Sequence, residues 1–535
     1  MHRLLLLPGL ALAFCLAGCG TPEPTAQAPH GDDPFTLKRG NGGDPGSLDP
    51  ALAEDLHAYN VLLDLYEGLM TVAADGSIVP GVAESWTVSP DGREYRFRLR
   101  ADARWTNGAR VVAQHFVHGF RHAVQPASRS PNAFLLAPVV NYQPVLDGEQ
   151  SPEALGIRAL GDDRVVIELA RPAAWLPTVL TMPIALPRLP GIHDDAASFS
   201  MPARFVGNGP YRLDEWSPGG AIRLRRNDTF HAAGSVSFDS VQFVPATDPA
   251  TELRLYRAGL LDVTATIPPP EFAALRQDHP DEVQVAPGLG LYYLAFDLSE
   301  PPFDDPQLRR ALSLAIDRER LVAMLGRGEL AAFGLVPPGV RSHDPFLPAW
   351  RIEDRAARER RAREAFAASA LRDDALPVIR LAYDAGDVHQ KVALAVRAMW
   401  QEVLGLEVSL QQMEWKAYLD LRGNRAAWQV MRFVWVGDFD DASSFTDLFV
   451  TGGAQNLPGY ANPRYDALVA QAAARGDDPE RRRLLKAAEQ MLLEDHAIAP
   501  LYFMTNKHLV SGRITGFLPN ALDRHPTRYM RPREN

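Results

Sequence analysis

Between residues 377 and 410 the spacing of the apolar residues changes twice. Residues 377–383 form a run of strand length. Val388, Val392, Ala395, Val396, Met399 and Val403 then recur at helical spacing over residues 387–403, and residues 406–410 return to a strand. Strand, helix and strand in that order form a βαβ unit, whose strands run parallel because the helical crossover carries the chain back to the starting edge. Other segments have a different character. Tyr95-Arg-Phe-Arg-Leu-Arg100 alternates apolar and charged residues just after the turn signal Asp91-Gly92, and residues 164–169 and 221–225 read similarly. That is the pattern of half-exposed antiparallel strands. The expectation is an α/β chain of several lobes, with the parallel strands concentrated late. Its 535 residues suit three to four units of ~150 residues each.

The charge balance narrows the partners. With 55 basic and 66 acidic side chains the formal charge is −11, which disfavours a nucleic-acid backbone and leaves cationic or zwitterionic ligands open. Only two cysteines occur, both near the N-terminus. Met1-His2-Arg3 is a short positive start, residues 4–17 are mostly apolar, and the stretch ends Leu16-Ala17-Gly18-Cys19. This resembles a bacterial lipobox. The resemblance implies a signal peptide over 1–18, cleavage before Cys19 and acylation of its thiol, which leaves no other cysteine for a disulfide. Residues 20–34 are rich in Pro, Thr, Gly and Asp and read as a tether, so 19–34 is expected to be lipid anchor plus flexible linker. No second long apolar run follows, which places the folded part outside a membrane and held to it through Cys19 alone.

Catalytic signatures do not emerge. There is no phosphate-binding loop with its Lys and Ser/Thr, no Gly-x-Ser-x-Gly elbow and no His-Glu-x-x-His, and the glycines of Gly40-Asn-Gly-Gly43 lack the dinucleotide spacing. His115, His118 and His122 fall within about 60° of one helical face, where three imidazoles could hold a metal. Without a nearby carboxylate or fourth ligand, a solvated face is the better reading. Neither an enzyme, a cofactor nor a metal is expected.

Residues 428–438 are more informative. Their near-continuous apolar run suits a strand buried on both faces, as in parallel sheets, with Arg432 in the middle and Asp438 where the strand ends. A desolvated guanidinium needs an anionic partner. The two charges lie ~20 Å apart along an extended strand and cannot serve each other. Internal residues could neutralise both, or a zwitterionic ligand could supply either partner.

A wider pattern then emerges. Leu48-Asp49-Pro50, Leu65-Tyr-Glu-Gly-Leu69, Pro80-Gly-Val-Ala-Glu-Ser-Trp86, Trp105-Thr-Asn-Gly108 with Val112-Ala-Gln-His-Phe-Val117, Asn208-Gly-Pro-Tyr211, Pro301-Pro-Phe-Asp304 with Arg310-Ala-Leu312, and Ala315-Ile-Asp-Arg318 closely resemble, in order and spacing, the extracytoplasmic oligopeptide-binding proteins of ABC transporters. The resemblance runs from about Gly40 to Asn535. It implies a type II periplasmic-binding-protein-like α/β fold, with two main lobes and an additional smaller domain. Lobe I would be discontinuous (35–66, 188–289 and 509–535), lobe II would span 67–187 and lobe III 290–508. Lobes I and III would close around the ligand by a hinge motion, with the peptide extended and bound through its backbone.

Carried across residue by residue, the resemblance implies that Asp438 pairs with the peptide α-amino group, with Trp435 on a pocket wall beside it. Trp415, in Glu414-Trp-Lys-Ala-Tyr-Leu-Asp420, Tyr293, in Leu291-Tyr-Tyr-Leu294, and Glu54 match ligand-lining positions. Arg432, Arg422 and His389 match basic positions that meet the peptide carboxylate. Two departures bear on the ligand: Val436 replaces a polarisable pocket residue, and Met324 stands where some members carry a lysine suited to longer peptides, leaving Arg327 as a replacement cation. The implied partners are short peptides and the permease subunits of an ABC transporter in the inner membrane, and the implied state is a monomer at the cell envelope. A non-peptide cargo such as a metal chelate or haem, and a cell-wall peptide, are the alternatives within the same fold.

Overall fold

A computed structural model describes residues 35–341, 343–371, 378–424 and 427–534. The signal, lipobox and tether expectations for residues 1–34, Cys19 included, lie outside the described residues. Three sheets organise the rest. The first has the strand order Thr36–Gly40, Ser240–Val244, Ile222–Arg226, Tyr211–Glu215, with only the outer pair Thr36–Gly40 and Ser240–Val244 parallel. The second is wholly antiparallel, in the order Ala83–Val88, Glu94–Leu99, Arg164–Glu168, Ile157–Ala159. Both contain the alternating segments expected as antiparallel strands. One continuous apolar core, from Leu48 to Phe243 and including Trp105, Phe116, Phe120 and Phe97, underlies both sheets.

The motifs that mark this region act as clasps between distant segments. Asn208 takes the backbone of Glu67 from both sides: its Oδ1 accepts from the Glu67 N–H at 3.1 Å and its Nδ2 donates to the Glu67 carbonyl at 2.8 Å. Gly209 N–H donates to Leu65 O at 2.9 Å. A Cβ at Gly209 would lie 2.5 Å from Tyr66 N, so only glycine allows the two backbones to approach this closely. Glu67 in turn accepts from Arg528 at 2.7 Å and lies 2.7 Å from His231 Nε2. Asp49 pairs with buried Arg188 at 2.8 Å, and Trp105 Nε1 donates to His115 Nδ1 at 3.1 Å. The two ends of the chain interlock. Arg39 donates to His525 O at 2.9 Å and to Thr527 Oγ1 at 2.8 Å, while the Thr527 N–H donates to fully buried Asp64 at 2.9 Å.

The third sheet is mixed and six-stranded, in the order Leu330–Ala331, Ile498–Leu509, Val283–Phe296, Val430–Val436, Ile379–Asp384, Val408–Met413. The βαβ unit forms as expected: Ile379–Asp384 and Val408–Met413 pair in parallel, joined by the helix Asp387–Leu404, whose Val392, Val396, Met399, Trp400 and Val403 are buried. That helix stops at Gly405, which takes the left-handed conformation (φ 70°) that favours glycine. Arg318 fastens the region from beneath, donating to Pro500 O, Ser313 O, Ile316 O and Ser313 Oγ at 2.7–3.1 Å. Along Val283–Phe296, Leu291, Tyr293 and Ala295 enter one core while Tyr292, Leu294 and Phe296 enter another on the opposite face. The strand expected within 428–438 differs from the sequence reading. Val430–Val436 runs antiparallel to Val283–Phe296 and parallel to Ile379–Asp384, and burial on both faces stops at Phe433. Trp435 is half-buried and Val436 exposed, because the strand's carboxyl end runs out to a cavity.

Candidate functional site

The cavity has a volume of about 330 Å³ and is walled by Phe134, Arg171 and Trp175 on one side and by Trp435, Asp438 and Asp447 on the other. Ser444 shapes the strand end: its carbonyl accepts from Trp435 Nε1 at 2.8 Å and its Oγ accepts from the Asp438 N–H at 3.0 Å. Gly437 N–H donates to Leu289 O at 2.8 Å, which keeps the chain on the sheet edge up to Asp438. Across the cavity mouth Trp175 stacks on Phe439, with ring centroids 4.4 Å apart and planes 14° apart. This stack joins an aromatic from beside the antiparallel sheet to one at the edge of the mixed sheet.

The electrostatics are unbalanced. Asp438 is exposed on the cavity, and partial desolvation there raises its pKa above the ordinary value with no cation acting in the other direction. Asp447, also exposed on the cavity, is raised to about 6, first by partial desolvation and then by the neighbouring Asp441 carboxylate, against the partial offset of Arg481 and Arg171. Arg481 is committed elsewhere, bidentate to Asp441 at 2.7 and 2.8 Å. Among the described residues neither Asp438 nor Asp447 has a basic side chain within 4.0 Å.

The basic residues expected to meet a carboxylate divide into two groups. Arg432 is buried and donates to Asp384 Oδ1 at the carboxyl end of the adjacent parallel strand. Its backbone carbonyl accepts from Tyr418 Oη, and its guanidinium sits 5.1 Å over the Tyr418 ring. His389, in the first turn of its helix, joins the same network: Nδ1 lies 3.2 Å from Tyr292 Oη and Nε2 lies 3.9 Å from Asp384 Oδ2. Burial, and then Arg327, lower the His389 pKa. Arg422 behaves differently. Half-buried, it donates to Gln455 Oε1 at 2.7 Å, and Gln455 lines the cavity, so Arg422 stands at the rim.

Asp438 and Trp435 are thus brought together on one cavity with Arg422 at its edge, while Arg432 and His389 surround Asp384. Tyr293 departs from expectation. It is 3% exposed and packed among Phe433 and Phe449, because its parity on Val283–Phe296 points it into a core. Trp415 is exposed and stacks on Tyr418 at 5.7 Å, and Glu54 is exposed just before the helix Leu56–Leu65. Met324 and Val436 are both exposed. Sequence reasoning missed Asp384, Asp447, Trp175 and Phe439. Only Asp384 carried a signal, as the carboxylate that ends the first strand of the βαβ unit.

The histidine face is not freely solvated. His115 accepts from Val112 N–H and Trp105, His118 lies 3.2 Å from Asp194, and His122 lies 3.1 Å from Gln125. Burial lowers His115 and His122 to about 4. A different trio, His508, Asp523 and His525, brings its ligand atoms within 4.8 Å of one another. Its hydrogen bonds oppose metal binding. His508 Nδ1 faces Thr264 O at 2.8 Å and Nε2 faces Asp523 Oδ1 at 2.7 Å, so both nitrogens donate. His525 Nδ1 accepts from Asn520 Nδ2, which leaves Nε2–H for Asp523. Neither ring offers Asp523's side a lone pair, and the trio is a charge-assisted hydrogen-bond network.

Residues 77–456 match the family described as bacterial extracellular solute-binding proteins, family 5 middle. Over 502 residues, 92% of each chain, the sequence is 32% identical to the periplasmic oligopeptide-binding protein OppA of Escherichia coli strain K12. Among solved structures, the unliganded open form of MppA, a periplasmic murein tripeptide binding protein, superposes with a TM-score of 0.89 at 32% identity, covering 94% of this chain and 98% of that one. Haemophilus influenzae OppA in complex with RPPGFSPFR gives 0.69 at 30% identity, covering 94% of this chain and all of the other. The mixed α/β sheets and several domains match those of the periplasmic binding proteins it superposes on, and the chain belongs to the bacterial extracellular solute-binding proteins of family 5.

Proposed function

We propose that this protein captures short peptides outside the cytoplasm and delivers them to the permease of an ABC transporter. The observation that carries this reading is Asp438: a carboxylate that faces a cavity, is raised by desolvation and has no internal cation, suits the α-ammonium of a peptide. Trp435 forms the wall beside it. Arg422 at the rim is the accessible cation for the peptide carboxylate, with Arg432 and His389 acting through the Asp384 network, and Trp415 and Glu54 completing the ligand-lining set. The lobe limits 35–66 with 188–289 and 509–535, 67–187, and 290–508 describe the moving parts, and the closer likeness to an unliganded open form than to a peptide complex supports an open state that closes on its ligand. The protein acts as a monomeric binder, not an enzyme, anchored to the envelope by acylated Cys19.

Isothermal titration calorimetry with trialanine tests the reading, with a murein tripeptide as the second ligand because the MppA open form is so similar. Micromolar or tighter binding of trialanine, lost on N-acetylation, is expected. Exclusive binding of the murein tripeptide would assign the protein to cell-wall peptides, and binding of neither would remove the peptide reading. Cys19→Ser should release the protein from the membrane fraction; a soluble wild type without lipid by mass would refute the anchor.

A further inference from the structure

We infer that a pit lined by Tyr59, Thr181 and Arg524 holds one monatomic anion of chloride size, with the Arg524 guanidinium as its counter-charge. The pit, of about 20 Å³, shares no lining residue with the cavity beside Asp438, and the inference does not depend on the peptide reading. Arg524 is only 8% exposed, and among the described residues no carboxylate lies within 4.0 Å of it. Its guanidinium makes a single side-chain hydrogen bond there, from Nη1 to Thr181 Oγ1 at 2.8 Å. Thr181 spends its own proton on Thr178 O at 2.7 Å, so it orients the guanidinium without answering its charge. The ionisable groups that act on Arg524 are Tyr59 and Asp440. Asp440 is held by another segment, accepting from the Arg341 N–H at 2.8 Å, and stays outside ion-pairing distance. A guanidinium buried without an anion in contact is costly, and a small ion in the adjoining pit removes that cost.

The class of occupant follows from the donors and the size. Tyr59 Oη accepts from Asn132 Nδ2 at 3.3 Å, which leaves the phenolic proton to be donated, so phenol and guanidinium both offer donors. Donors that converge beside an uncompensated positive charge favour an anion over a water. Leu62, Met70 and Leu186 supply apolar walls, where that charge is poorly screened. About 20 Å³ admits one sphere near the size of a water and is too small for phosphate, sulfate or a carboxylate ligand. The three polar side chains come from the helix Leu56–Leu65, from the turn before Pro183 and from the closing segment of the chain. The anion therefore braces that closing segment against two distant parts of the fold.

Bromide is the probe, because it follows chloride chemistry and scatters anomalously. Crystals of the full chain soaked in sodium bromide should show an anomalous peak against the Arg524 guanidinium, and the absence of such a peak overturns the inference without any variant. In solution, the wild-type thermal midpoint should be about 2 °C higher in sodium chloride than in sodium gluconate at equal ionic strength, and the rise should saturate. Gluconate is too bulky for the pit. Equal midpoints in the two salts overturn the inference, since bromide would then bind at crystal concentration only. Arg524→Gln should abolish the difference between the salts; a difference that survives the substitution places the chloride effect elsewhere and overturns it too. Should that variant fail to fold, the bromide map and the wild-type comparison still decide.

Discussion

Arg432 and Asp384 hold each other across two neighbouring parallel strands, the guanidinium in the middle of Val430–Val436 meeting the carboxylate at the end of Ile379–Asp384. Both side chains are buried, and His389 and Tyr418 close around the pair. The charge that the strand carries through the sheet is therefore answered from within, whereas the charge at its end, Asp438, is left facing the cavity. Arg432 within the strand and Asp438 just past its end thus place an internally paired charge and a cavity-facing charge six residues apart.

Breaking the internal pair should be costly. Asp384→Asn is expected to lower unfolding free energy by about 3–5 kcal/mol in urea titrations, because a buried guanidinium loses its counter-charge. Adding Arg432→Met should recover much of the loss. A neutral Asp384→Asn would mean that another acceptor takes Arg432.

Asp438→Asn should act on the ligand and leave the fold alone. Free-amine peptides should weaken by on the order of 2–5 kcal/mol, whereas N-acetylated peptides, already poor ligands, should change little. The ligand-free thermal midpoint should not fall, since no internal cation depends on Asp438. Equal losses for free and acetylated peptides would take Asp438 out of the site.

Peptide length should follow the accessible cations. With Met324 uncharged and Arg432 paired internally, alanine peptides of two to four residues should bind better than the pentapeptide, and Arg422→Gln should weaken the tripeptide by about tenfold. A pentapeptide optimum in the calorimetric series would move the carboxylate to Arg327, which lies 3.2 Å from Glu329.

Acid should destabilise the fold through its buried histidines. Burial lowers His115, His122, His193 and His525 to about 4 and His496 to about 3. Each binds a proton more readily when unfolded, near its ordinary ~6.5, so the stability is full above that value and is lost as pH falls towards 4. His508 opposes the trend: burial lowers its pKa, Asp523 outweighs burial, and the stability this contributes fades as pH rises above the ordinary histidine range. The thermal midpoint should drop between pH 7.5 and 5, and His122→Gln should flatten that slope by at most about 1.4 kcal/mol per pH unit. A midpoint that is flat or rises towards pH 5 would contradict the buried-neutral assignments.

What was legible in the sequence was local. The βαβ unit follows from spacing alone, and the motifs of the family resemblance are backbone clamps, such as Asn208 on Glu67 and Arg318 on Ser313, that require one residue type at a fixed place. The site was only half legible. Asp438 could be placed because it ends a strand, but the partner of Arg432 lies 48 residues away on another strand, where no spacing rule reaches. Tyr293 was placed by the family resemblance alone, and on a strand buried on both faces its parity leads into a core. The Trp175–Phe439 stack depends on two sheets meeting, which neither segment encodes by itself.

The interlock between Arg39, Asp64 and Thr527 separates the order of synthesis from the order of folding. Arg39 and Asp64 are made among the first residues of the described chain, yet the groups they hold are 488 and 463 positions downstream. Until Thr527 has left the ribosome, Asp64 has no N–H to receive and Arg39 no carbonyl at His525, so the opening strand waits, unsealed, for the closing turn. The contact that completes the first sheet's surroundings is among the last that a growing chain can make, long after the strand Ser240–Val244 that pairs with Thr36–Gly40 has been synthesised.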